Sequence, residues 1–192
     1  MRISIIAGAV LSAVLVVYFS TGCARQTLDS GSIINFGNGD KYVGFVKDNK
    51  MNGYGVYTWK NGIEYKGTWV DDKRQGEGTI KWTNGDVYTG SWEKNMKHGQ
   101  GTMDSSDGSK YVGNWVNDKM EGKGVYTDKQ GLRYEGDWKD NKKNGAGVMS
   151  WSDGSKYTGE FKNGLRSGQG IMTGADGTVE KGRFINDIFV GK

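Results

Sequence analysis

A period of 23 residues, unbroken by insertion, governs this chain from residue 42 onward. Tyrosines stand at Tyr42, Tyr65, Tyr88, Tyr111, Tyr134 and Tyr157, each followed two places on by a glycine. Two places further come Trp69, Trp92, Trp115, Trp138 and Phe161, with Val46 the exception in that column. Paired glycines follow at Gly53/Gly55, Gly76/Gly78, Gly99/Gly101, Gly122/Gly124, Gly145/Gly147 and Gly168/Gly170. A short unit of this kind cannot bury its apolar face alone, so it must stack against its own copies.

The spacing inside a unit selects strands. Tyr, Gly and Trp alternate with polar residues, as in Tyr65-Lys66-Gly67-Thr68-Trp69-Val70, and alternate residues share one face of a strand. The second half alternates too, with Gly76, Gly78, Ile80 and Trp82 on one face and Glu77, Thr79 and Lys81 on the other. Glycine recurs too often for a helix. Asn38-Gly39, Asn61-Gly62, Asn84-Gly85, Asp107-Gly108, Asp153-Gly154 and Asp176-Gly177 are the dipeptides of tight hairpins with two positive φ angles, Gln130-Gly131 being the weak member. The opposite turn, Asp140 to Asn144 for example, reads as longer and polar.

Each unit is therefore expected to be a hairpin with an aromatic-plus-glycine face and a mostly polar face. Glycines leave room for neighbouring rings to lie down on a sheet whose strands are only ~4.8 Å apart. On this packing, Gly136→Val should destabilise more than Lys139→Val. Six full units begin at 42, 65, 88, 111, 134 and 157, with partial units at both ends: Ile34 and Phe36 before Tyr42, and Glu180, Gly182, Phe184 and Gly191 after. The expected fold is all-β, an elongated single-layer antiparallel sheet over residues 31–192.

The pattern Tyr-x-Gly-x-Trp, then Gly-x-Gly, then a turn glycine, at this period, resembles the MORN repeat. The departures are Val46 in the Trp column and Glu180 in the Tyr column. The resemblance implies a scaffold or protein-binding module, often near membranes, with reported binding to acidic phospholipids. In some relatives such repeats are joined to a catalytic domain; here the array fills the chain beyond the N-terminal segment.

That segment, residues 1–22, reads as a signal peptide or membrane anchor. Arg2 precedes an apolar run from Ile3 to Phe19, expected as a hydrophobic helix, and Ser20-Thr21-Gly22 places small residues before Cys23. The latter resembles the lipobox of bacterial lipoproteins, which implies lipid attachment at Cys23, although Ser20 stands where leucine is favoured. An uncleaved anchor is the alternative, since about 18 apolar residues just span a bilayer; simple secretion is the third reading. All three export the array across a membrane, the lipid-anchored reading placing it at the cell envelope. Residues 23–30 form a polar tether.

No constellation promises chemistry, and the expectation is a protein that is not an enzyme and takes no cofactor or metal. His98 is the only histidine and reads as a solvated turn residue. The recurring turn aspartates offer one acid per unit, far from the run of oxygens calcium needs. The Gly-x-Gly pairs open no helix and so are not phosphate loops. A lone cysteine excludes disulfides and thiolate zinc sites. The net charge of +4, from 26 basic and 22 acidic residues, is too small and too spread for a nucleic-acid footprint.

Two surfaces remain. One is an aromatic strip of Tyr65, Trp69, Tyr88, Trp92, Tyr111, Trp115, Tyr134, Trp138 and Tyr157, either packed on itself or open to a peptide, helix or glycan. The other is a basic edge at the longer turns, with Lys50, Lys73, Lys119 and Lys142 in one column and Arg74, Lys97, Lys143 and Arg166 in the next. It is either a solvated rim or a surface for acidic lipid or an acidic partner. The leading expectation is a membrane-tethered scaffold for protein–protein interaction at the envelope. Glycan binding by the rings and acidic-phospholipid binding by the basic edge are the alternatives.

Overall fold

The computed structural model describes residues 31–192, and within them every regular element is a strand. The segment expected as signal or anchor, Cys23 and the tether lie outside the described residues. In chain order the strands are β1 (Ser32–Asn35), β2 (Lys41–Lys47), β3 (Lys50–Thr58), β4 (Glu64–Val70), β5 (Lys73–Lys81), β6 (Val87–Glu93), β7 (Met96–Asp104) and β8 (Lys110–Val116). They continue as β9 (Lys119–Thr127), β10 (Arg133–Lys139), β11 (Lys142–Ser150), β12 (Lys156–Lys162), β13 (Leu165–Thr173), β14 (Val179–Ile185) and β15 (Ile188–Gly191). All 15 form one antiparallel sheet whose spatial order is the chain order. The single-layer meander expected from the period is present.

The two kinds of turn are the reverse of the sequence expectation. The tight two-residue turn is the one expected to be longer: Asp71-Asp72 has φ of 46° and 65°, and Asp140-Asn141 has 48° and 65°. Both central residues are left-handed, which Asn and Asp tolerate because their short polar side chains bond locally. The Asn-Gly and Asp-Gly dipeptides sit instead in wider loops. In the first of these only Gly39 has positive φ, and Gly39 N–H donates to the Phe36 carbonyl at 2.9 Å. The aspartates there accept from the backbone two residues on, Asp107 from Ser109 N–H and Asp153 from Ser155 N–H, each at 2.8 Å. That is the local Asx bond that makes Asp a turn former.

The two glycines of each pair also do different work. The first, such as Gly76 (φ 67°) or Gly145 (φ 85°), sits in a β-bulge, where only glycine takes this angle readily. The second pairs across the strand with the glycine of the Tyr-x-Gly motif on both sides. Gly67 faces Gly55 and Gly78, and Gly136 faces Gly124 and Gly147. A row of glycines thus crosses the sheet from Gly44 to Gly182. The ring of each Tyr-x-Gly tyrosine lies on this row. A Cβ at Gly78 would stand 2.5 Å from Tyr65 Cζ.

The rings interlock between units. Tyr65 meets Trp69 edge-on at 5.1 Å and Trp92 of the next unit at 5.3 Å, and the same pair of contacts recurs at Tyr88, Tyr111 and Tyr134. Such contacts contribute ~0.5–1.5 kcal/mol each beyond the area they bury. Polar atoms are matched as well. Tyr134 Oη–H donates to the Asp137 carbonyl at 2.8 Å, and Trp138 Nε1–H donates back to the Gly124 carbonyl of the preceding unit at 3.2 Å. The tight turns are clasped across units in turn. Asp72 N–H donates to the Met51 carbonyl at 3.1 Å, while Asp72 Oδ1 accepts from Met51 N–H at 2.8 Å. Asn95, Asp118, Asn141 and Asp187 repeat the clasp; Gly164 keeps only its backbone half.

Candidate functional site

The nine rings expected as a candidate strip do not form an open surface. Tyr65, Tyr88, Tyr134 and Tyr157 are fully buried, and Tyr111, Trp69, Trp92, Trp115 and Trp138 are at most 7% exposed. The reason is the glycine row: with no Cβ beneath them, the rings settle onto the backbone and close against one another. Burial pushes the Tyr111 hydroxyl up to about 12 and raises those of Tyr65, Tyr88 and Tyr134. Half-buried rings remain on this face toward the wider loops, at Phe36, Tyr57, Trp59, Trp82, Tyr126 and Trp151, and at Phe189 in β15.

The basic edge divides in two. Arg74, Lys97, Lys143 and Arg166 pair across the bulge with Trp69, Trp92, Trp138 and Phe161, so their side chains emerge on the ring face. There they lie over the rings: Arg74 Cζ is 4.3 Å from the Trp92 centroid and Lys97 Nζ 4.2 Å from that of Trp115. Desolvation lowers the pKa of Arg74, Lys97 and Lys143. Met51 and Met120 occupy the same position in other units, so its task is to lid the rings with an aliphatic stem. The outer column, Lys50, Lys73, Lys119 and Lys142, is exposed. Lys119 Nζ is bonded to Asp140 at 2.6 Å and Lys50 lies 3.9 Å from Asp71.

His98 lies in β7, not in a turn, with Nε2 3.6 Å from Glu93 Oε2 and Nδ1 unpartnered. Among the described residues no group of three or more His, Cys, Asp or Glu is placed to hold a metal ion, and no helix is long and apolar enough to cross a membrane.

The face opposite the rings carries what the sequence reading passed over as mostly polar. One residue beyond each Tyr and one beyond each paired glycine fall into a single row across the sheet: Val43, Val56, Lys66, Thr79, Thr89, Thr102, Val112, Val125, Glu135, Val148, Thr158 and Ile171. Ten of these twelve are β-branched, the side chains that fit a pleated surface. Reading the columns beside Tyr and Gly would have found them. Over β7 to β13 this row floors a shallow groove of about 830 Å³, walled by Gln100, Lys123, Ala146, Glu160 and Gln169. Nothing in the described chain covers it, and Val112 is 43% exposed at its floor. A second hollow of about 570 Å³ opens at the tight-turn end of β9 to β12, lined by Lys119, Lys139, Asp140, Lys142, Asn144, Lys162 and Asn163.

Comparison with known proteins bears on the fold. The chain resembles the SAS-4 TCP domain of Drosophila melanogaster, solved in complex with a proline rich motif of Ana2. The two are 11% identical with a TM-score of 0.50, over 86% of this chain and 99% of that one. The TCP10c domain of Drosophila melanogaster Sas-4 is 11% identical at a TM-score of 0.45, covering 83% and 97%. The TCP10 domain of Danio rerio CPAP is 14% identical at 0.29, covering 81% and 87%. At these identities the first of them establishes a shared sheet architecture and nothing further. No curated protein matches the chain. The MORN repeat model matches six times in succession, at residues 42–64, 65–87, 88–110, 111–133, 134–156 and 157–179. Six tandem matches over most of the chain, on a sheet built of those same hairpins, make this a protein of the MORN-repeat family.

Proposed function

We propose that this chain is a non-enzymatic scaffold that docks a protein partner on the face opposite its rings. The observation that carries the reading is the asymmetry of the sheet. One face is closed by interlocked Tyr and Trp and lidded by Arg74, Lys97, Lys143 and Arg166. The other exposes a β-branched row with an uncovered groove. Exposed apolar surface beside backbone-rich glycines suits an extended segment of a partner. The SAS-4 TCP domain, a single sheet of similar architecture, was solved with a proline rich motif bound, which lends the reading a precedent. The glycan alternative loses its platform, because the nine rings it needs are buried.

The test is photo-crosslinking in the producing cell. A photoreactive side chain at Val125 or Val148 should trap one discrete partner, and the same group at Tyr57 on the ring face should not. Equal trapping at both faces, or at neither, would remove the reading.

We further propose that residues 1–22 export the array and that Cys23 is acylated, holding the scaffold at the envelope membrane. Metabolic labelling with a palmitate analogue should mark the wild-type chain and not Cys23→Ala. Equal labelling of the two would exclude the lipid anchor.

A further inference from the structure

The lysine hollow and the valine groove occupy the same face over the same hairpins. Lys139 pairs with Lys142, Lys162 with Leu165 and Val116 with Lys119, each one residue beyond the ring-bearing position. That offset turns these lysines away from the aromatic core, onto the side that carries Val112, Val125 and Val148. Along β11 the six residue steps from Val148 to Lys142 separate the two features by roughly 20 Å.

The hollow holds an uncompensated positive charge. Four lysines line it against one carboxylate, Asp140. Lys119 takes that carboxylate at 2.6 Å, and among the described residues no acid lies within ion-pair distance of Lys139, Lys142 or Lys162. The hydrogen bond from Lys119, its charge, and the charges of Lys139 and Lys142 hold the Asp140 carboxyl below its ordinary range, as a local positive field does. The amides of Asn144 and Asn163 add neutral donors. Other units do not reproduce this. Lys47 also holds the Lys139 position, and Lys50, Lys73 and Lys119 the Lys142 position. Among the described residues, however, only Lys139 and Lys162 put lysine at the former in two consecutive units; elsewhere it is Val70, Glu93, Val116 and Ile185. The excess is thus a feature of two neighbouring turns and not of the repeat.

Resting on the docking function proposed above, we propose that this hollow receives carboxylate side chains at one end of an extended partner peptide whose apolar residues lie on the Val112–Val125–Val148 row. Charge complementarity selects the occupant. The groove offers no free cation, since its one lysine, Lys123, is paired with Asp137 at 2.7 Å, and Glu160 on its wall has no ion-pair partner among the described residues. A chain acidic throughout is therefore disfavoured there, and the acidic residues belong only at the end that reaches the hollow. The unpaired Glu160 likewise disfavours a phosphodiester backbone along the groove. A membrane surface is the less fitting partner. The lysines line a recess, and the same tight-turn edge of the sheet also carries the exposed carboxylates of Asp71 and Glu93.

The test uses the full-length chain and two dye-labelled peptides, one alternating Val and Thr and ending in three Glu, the other ending in three Gln. Binding is read by fluorescence anisotropy. The Glu peptide should bind at least about fivefold more tightly than the Gln peptide, with the difference shrinking as salt rises. The double substitution Lys142→Glu/Lys162→Glu should abolish that difference, whereas Lys73→Glu, outside the hollow, should preserve it. Circular dichroism confirms that each variant is folded. Val125→Lys should weaken both peptides alike. If Val125→Lys weakens both but the wild type does not distinguish Glu from Gln, the groove stands as a docking face and the acidic-end inference falls. If neither peptide binds, or if phosphatidylglycerol vesicles rather than the Glu peptide depend on Lys142 and Lys162, the inference is overturned.

Discussion

Replacing Gly147 by alanine tests the packing at a single atom. Gly147 has no positive φ, so its backbone suits any residue; what forbids a side chain is Tyr134. The new Cβ would stand 2.6 Å from Tyr134 Cε2 and Oη and 2.8 Å from Cζ, where ordinary contact begins at 3.4 Å, so the ring must retreat by about 0.8 Å. It has nowhere to go. Tyr134 is fully buried, held edge-on by Trp138 at 5.2 Å and Phe161 at 4.9 Å, and its hydroxyl is bonded to the Asp137 carbonyl. Overpacking costs about 1–3 kcal/mol and the displaced hydrogen bond ~1 kcal/mol, which together set the loss at roughly 2–4 kcal/mol. For an array of this size that lowers the melting temperature by roughly 5–15 °C. Gly154→Ala is the control. Its φ is 88° but nothing lies within 4 Å of the new Cβ, so it carries only the left-handed penalty of about 1 kcal/mol. The decisive measurement is a double-mutant cycle by urea denaturation. Tyr134→Leu removes the three obstructing atoms and should recover about 1–2 kcal/mol of the Gly147→Ala loss, and nothing of the Gly154→Ala loss. Additive effects at Gly147, or an equal cost at Gly154, would refute the ring-on-glycine account.

Trp138→Phe removes the bond from Nε1–H to the Gly124 carbonyl while keeping a ring that the next unit already accommodates as the buried Phe161, so a urea titration should show a loss of about 1–2 kcal/mol. Gly164→Asn supplies the side-chain half of the clasp present at Asn95 and Asn141, and calorimetry should show a gain of ~0.5–1 kcal/mol; an unchanged or lower transition would mean the clasp is incidental. Tyr42 and Tyr111 hydroxyls are pushed up to about 12, chiefly by burial, against an unfolded value of about 10. Their contribution to stability is therefore complete below about pH 10 and is lost as pH rises toward about 12, because the unfolded chain ionises first. Tyrosinate absorbance should thus climb together with loss of the tryptophan signal. Independent ionisation near pH 10 in a still-folded sheet would contradict the burial.

The repeat made the strand order and the inward face legible. Tyr65, Gly67 and Trp69 at alternate positions leave no other arrangement once six copies follow in register. The turns were misjudged because Asn-Gly and Asp-Gly are hairpin dipeptides in isolation, whereas here a bulge glycine such as Gly76 shifts pairing and hands the tight turn to Asp71-Asp72. The same bulge sends Arg74 over Trp92, which is why a basic edge drawn from columns alone included residues that lid the core. The candidate groove went unseen because its row mixes Val, Thr, Lys and Glu, and only register shows that they are neighbours.

The agreement of spatial and chain order has a mechanical corollary. No segment of residues 31–192 crosses back to tie distant strands together, so tension applied between the two edges falls on one strand pair at a time. Such a sheet would unzip and not shear, releasing a hairpin per step and lengthening by about 80 Å with each 23-residue unit freed. Strung between an anchor and a load, it would behave as a graded extension spring whose travel is set by the number of modules.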